Sequence, residues 1–96
     1  MFLTNFTPRG IENVHDSPDR TEKAKALVES MGGTWRAFFY TLGRYDGLVI
    51  ADFPNDDIAV QTVLTLASSG NVTTETLRAF TFDEFRDIID AMSDVV

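Results

Sequence analysis

Two runs rich in aromatic and β-branched residues, Trp35 to Leu42 and Tyr45 to Phe53, are separated only by Gly43-Arg44. Glycine at the first position of a two-residue loop is the chemistry of a type II′ turn, so the segment predicts a β-hairpin. No other feature constrains the fold as strongly. A two-residue loop pairs Leu42 with Tyr45 and fixes every further pair by counting outward. Side chains then sort onto two faces. One carries Ala37, Phe39, Leu48 and Ile50, with Thr41 and Asp46 near the turn, and is expected to lie beneath helices. The other carries Arg36, Phe38, Tyr40, Leu42, Tyr45, Gly47, Val49 and Ala51.

The segments on either side complete a pattern. Phe2 to Phe6 reads as a strand, ended by Thr7-Pro8, where Thr7 caps a short helical turn. Asp16-Ser17-Pro18 restarts the helix, with Ser17 as the expected cap, and Ala24, Leu27, Val28 and Met31 recur as one buried stripe until Gly32-Gly33. After Pro54-Asn55-Asp56-Asp57 a second stripe follows, of Ala59, Val63, Leu66 and Ala67, closed by Ser69-Gly70. Val72 to Phe80 reads as a fourth strand. Thr81-Phe82-Asp83-Glu84 is a capping box ahead of Phe85, Ile88, Ile89 and Met92. The order is β-α-β-β-α-β with an added C-terminal helix. That is the ferredoxin-like α+β arrangement, an antiparallel sheet with helices on one face, in a single domain over residues 1–96.

A chain of 96 residues buries only about 60–65% of its unfolded surface, so covering a second apolar face would help it. The face with Phe38, Leu42, Val49, Tyr40 and Tyr45 is too apolar to leave in water. The economical cover is a second copy of the same sheet, giving a homodimer of the α/β-barrel type. By the parity of the fourth strand, Thr74, Thr76, Arg78 and Phe80 face the same way. Arg36, Tyr40 and Arg78 are then expected to line the cavity between the sheets, with Asn5 at the same level.

Fifteen acidic against eight basic residues leave a net charge of −7, which opposes binding to nucleic acid or an anionic membrane. There is no cysteine, which suits a reducing cytoplasm and excludes a thiolate nucleophile or a thiolate metal site. The opening residues lack a basic leader and a long apolar stretch, so a cytoplasmic location is the expectation. No glycine-rich phosphate loop and no histidine spacing of metal-ligand type occurs, and no cofactor is expected.

Four segments, Asn5-Phe6-Thr7-Pro8-Arg9-Gly10-Ile11, Asp16-Ser17-Pro18, Gly43-Arg44-Tyr45-Asp46 and Thr74-Glu75-Thr76-Leu77-Arg78-Ala79-Phe80, stand in the order found in the GYD-domain family. The chain resembles that family nearly end to end. The resemblance implies a small cytoplasmic protein of ferredoxin-like, dimeric α/β-barrel type. It implies no particular reaction, so it carries over only the motif positions Gly43, Tyr45 and Asp46. His15 stands where the family has a lysine or another polar residue.

Arg36 and Arg78, brought together with Tyr40 in a partly buried cavity, would attract a carboxylate, enolate or phosphate. The competing reading pairs each arginine with an acid such as Asp52 or Glu75. Tyr45 is a candidate phenolic donor to a ligand, against a role in packing at the dimer seam. Asp46 is expected to accept hydrogen bonds from nearby amides. His15, the only imidazole, is the first candidate for acid–base chemistry, but beside Asp16 in a loop it reads as solvated. Three functions follow: a homodimeric module binding a small organic molecule, for which an anion is the sharper expectation; a cofactor-independent isomerase or monooxygenase on the same scaffold; or a structural dimer without a ligand.

Overall fold

The computed structural model describes residues 1–92. It contains β1 (Phe2–Phe6), α1 (Pro8–Glu12), a single 3-10 turn (Val14–Asp16), α2 (Ser17–Ser30), β2 (Thr34–Tyr40), β3 (Gly47–Asp52), α3 (Asp56–Ala67), β4 (Val72–Thr76) and α4 (Phe82–Asp90). The strands form one antiparallel sheet in the order β2-β3-β1-β4, the ferredoxin-like α+β topology. None of the described helices is long and apolar enough to cross a membrane.

The local signals act as their chemistry dictates. Thr7 Oγ1 accepts from Gly10 N at 3.1 Å, Asn55 Oδ1 accepts from Ile58 N at 2.9 Å, and Thr81 and Glu84 form a reciprocal capping box. The second helix departs from expectation. It begins at Ser17, which does not cap it; the side chain turns inward and is buried. Its hydroxyl is taken by Tyr40 instead, 3.0 Å away.

The core lies where α2 and α3 pack on the sheet. Phe2, Val49 and Val63 are buried together, with Trp35, Phe38, Ala51 and Leu66 against them, and Val28 of α2 is also fully buried. Thr62 is fully buried as well, its hydroxyl satisfied by Ile58 O at 2.8 Å.

This core inverts the expected faces. The helices cover Phe38, Val49 and Ala51, with Tyr40 half exposed at the edge of the same side, whereas Phe39, Leu48 and Ile50, with Leu3 of β1, lie on the uncovered side. Period-two alternation separates the two faces without saying which one the helices will choose, and here both were apolar. The helices sit on the side carrying the larger rings, where edge-to-face packing of Phe38 on Tyr40, at 4.7 Å, fills space. β4 follows the same inversion: Val72 and Thr74 point toward the helices, and Glu75 does not.

The hairpin register holds near the turn, where Tyr40 pairs with Gly47, Phe39 with Leu48 and Phe38 with Val49. The connection is longer than two residues. Regular pairing stops at Tyr40 and Gly47, and Leu42 is fully exposed. A bulge between Trp35 and Ala37 then shifts the register. It puts Trp35 on the same side as Phe38, with the rings stacked at 6.0 Å, and breaks the alternation that placed Arg36 with Phe38. β4 is shorter than expected because β1 offers no partner beyond its first residues. The last link is Leu77 N to Met1 O at 2.8 Å.

Candidate functional site

The segment Gly43-Arg44-Tyr45-Asp46 is built as a clamp. Gly43 has φ +102°, which only glycine adopts without strain, and this lets the chain reverse. Asp46 Oδ2 accepts from Phe6 N at 2.8 Å, and Asp46 N donates to Thr4 O at 2.9 Å. One residue thus ties the hairpin end to β1 by side chain and backbone. Thr41 closes the loop, its amide donating to Asp46 O at 3.0 Å and its hydroxyl to Tyr45 O at 2.6 Å.

Tyr45 leaves the loop over the uncovered side of the sheet and donates its phenol to Glu75 Oε2 at 2.6 Å. That bond to a carboxylate, followed by desolvation, holds the phenol above its ordinary value of 10.0. Arg44 lies over the Tyr45 ring, 5.5 Å from its centroid. Asn5, opposite Thr73 in the register, shares this uncovered side.

The expected trio of Arg36, Tyr40 and Arg78 is divided between two places. Tyr40 stands at the exposed edge of the helix-covered side, its hydroxyl held by Ser17 Oγ at 3.0 Å and Thr21 Oγ1 at 3.1 Å. It lines a cavity of about 100 Å³ walled by Phe2, Phe6, Trp35 and Phe38. Arg36 and Arg78 do meet around one space, an open cleft of about 910 Å³ between the ends of β2 and β3, the start of α3 and residues 76–84. At the ends of these paired strands Arg36 Nε donates to Asp52 Oδ2, and both side chains are exposed. Arg78 lies over the Phe80 ring, 5.4 Å from its centroid, and has no acidic partner among the described residues. Asp56 and Glu84 also line the cleft. His15 is exposed in the 3-10 turn and makes no side-chain hydrogen bond among the described residues. Ser68 and Ser69 donate to Thr65 O and Leu66 O, as residues closing a helix do.

The clamp at residues 43–46 carries the comparison with known proteins. A family model described as GYD domain matches residues 1–89. The chain belongs to the GYD-domain family. No curated protein and no solved structure matches it. In this GYD domain the signature acid, Asp46, is a structural tie between the hairpin and β1, and Tyr45 is the member that faces outward.

Two features of the site went unread in the sequence. Ser17 and Thr21, one helical turn apart and continuous with Ala24 and Val28, carry the hydroxyls that hold Tyr40, and their spacing was a usable signal. Phe80, the platform under Arg78, lies beyond β4, which ends four residues before the apolar run predicts.

Proposed function

We propose that this GYD domain is a homodimeric binding module that takes a small organic acid into the cleft shared by Arg36 and Arg78. The supporting observation is Arg78, a guanidinium stacked on Phe80 at the wall of a cleft of about 910 Å³, without an acid partner among the described residues. A planar cation on an aromatic platform suits a bidentate carboxylate, with an apolar body resting against Ile50 and Phe53. The pair of Arg36 with Asp52 does not block this. Exposed ion pairs are worth only about 0–1 kcal/mol, so a second carboxylate competes for Arg36 at little cost. The partner copy covers the open side of the sheet, where Leu3, Phe39 and Leu48 form an apolar surface.

A second reading, a cofactor-independent enzyme acting on a small cyclic compound, looks to the ring-walled cavity beside Tyr40. At about 100 Å³ that cavity falls below the ~300 Å³ of ordinary ligand sites, so the cleft is favoured. The test is a thermal-shift screen of small organic acids against their neutral amides, on wild type, Arg78→Ala and Arg36→Ala. A binding acid at a hundred times its Kd adds about 2.7 kcal/mol, an unmistakable rise in Tm. The acid should stabilise wild type, its amide should not, Arg78→Ala should abolish the effect and Arg36→Ala should weaken it. Acids and amides that act alike, or an undiminished response in Arg78→Ala, would overturn the proposal. A screen without any response leaves a structural dimer.

A further inference from the structure

The C-terminal arm extends away from the body of its own domain. A compact chain of this length has a radius of gyration of about 12–13 Å, whereas this one has 15.7 Å and a longest dimension of 55 Å. After Leu77, whose amide still donates to Met1 O, the chain leaves the sheet, runs from Arg78 to Phe80 without a backbone hydrogen bond among the described residues, and enters α4, which makes at most marginal contact with any other element. An isolated helix of nine residues is marginal in water even with good caps. Yet α4 is sharply amphipathic. Phe82 (80% exposed), Phe85 (55%), Ile88 (45%) and Ile89 (48%) recur at helical spacing on one side, continued by Met92 (62%) just past the helix end, with Asp83, Glu84, Asp87 and Asp90 elsewhere.

We propose that α4 docks on a second copy of this chain, so that the dimer is held by reciprocal exchange of the C-terminal arms. This rests on the homodimer proposed above and adds to it which segment crosses and where it lands. Three observations favour a second copy as the occupant. The first is area. At roughly 150–200 Å² per large side chain, the stripe exposes about 450–600 Å² per chain. Two such stripes with the surfaces they cover bury on the order of 2,000 Å², within the range of stable dimers. The second is position: Leu77 N still donates to Met1 O, so the arm leaves from the end of the sheet remote from the hairpin loop. The third is charge. α4 carries four acids and Arg86, and the opposite end of the sheet ends in the hairpin loop with Arg44 and the fully exposed Leu42. A two-fold axis lying across the strands sets the arm end of one sheet over the hairpin end of the other. The α4 stripe then covers Leu42 and Phe39 of the second copy, and its acids approach Arg44 there.

The experiment uses the full chain. Wild type and Phe85→Asp/Ile89→Asp are sedimented across a micromolar concentration series, with far-UV circular dichroism as the check on folding. Because the chain has no cysteine, Ile89→Cys and Leu42→Cys are also purified separately, mixed and oxidised. The expected results are a wild-type dimer, a folded arm variant whose dimer dissociates at least a hundredfold more readily, and a disulfide-linked heterodimer from the mixed cysteine proteins. A wild-type monomer overturns both the homodimer and the exchange. A wild-type dimer matched by an equally tight arm-variant dimer overturns the exchange alone, as does the absence of the mixed disulfide. Should the arm variant fail to fold, the mixed disulfide decides.

Discussion

Removing the Asp46 carboxylate should loosen the whole domain, because it strips a part-buried amide, Phe6 N, of an acceptor held at 2.8 Å. A hydrogen bond to a charged group contributes about 1.5–3 kcal/mol, and the orphaned donor adds its own desolvation cost. The two backbone bonds of Asp46, to Thr4 O and from Thr41 N, survive the substitution and limit the damage. Asp46→Ala is therefore expected to lose about 2 kcal/mol, which in a domain of this size lowers Tm by about 8–16 °C. Asp46→Asn keeps an acceptor in place and should lose about half as much. The assay is urea unfolding followed by fluorescence of Trp35, the only tryptophan, which packs against the core. Protein concentration is held constant so that association does not shift the midpoint. An Asp46→Ala protein within about 0.5 kcal/mol of wild type would refute the clamp. The signature acid would then have to be explained by something other than stability.

Tyr40→Phe should cost about 1 kcal/mol by leaving Ser17 and Thr21 without their shared partner, with no change in assembly mass by light scattering. Gly10→Ala should destabilise by about 3 kcal/mol, since its new methyl would lie 2.0 Å from Asn71 O; a melting curve unchanged from wild type would show that α1 can shift away. In a Tyr40→Phe background, ultraviolet titration reports Tyr45 alone and should place its ionisation above 10.0, returning toward that value in Glu75→Ala. The sign follows. A phenol with a raised folded-state pKa contributes stability that is complete below pH 10 and disappears as pH rises through the folded value, so the alkaline limb of the stability curve should flatten in Glu75→Ala.

Local chemistry in the sequence was enough to place the strands, the helices and most of their caps, because each depends on residues within one turn or one hairpin; the strand order followed from the β-α-β-β-α-β succession of those elements. Thr7 and Thr81 with Glu84 cap their helices by contacts three residues away, and alternation in β2 and β3 divides their side chains into two sets. What local pattern does not contain is the docking of one element on another. Both sets of the hairpin were apolar, so only the seating of α2 and α3 on Phe38, Val49 and Tyr40 decided which face became core. The bulge beside Arg36 then reversed one side chain and sent it to Asp52, dividing Arg36 from Tyr40, while β4 lost its last residues for want of a neighbour. Alternation is a property of a single strand; choosing a face, breaking a register and ending a ladder each need a second element in contact.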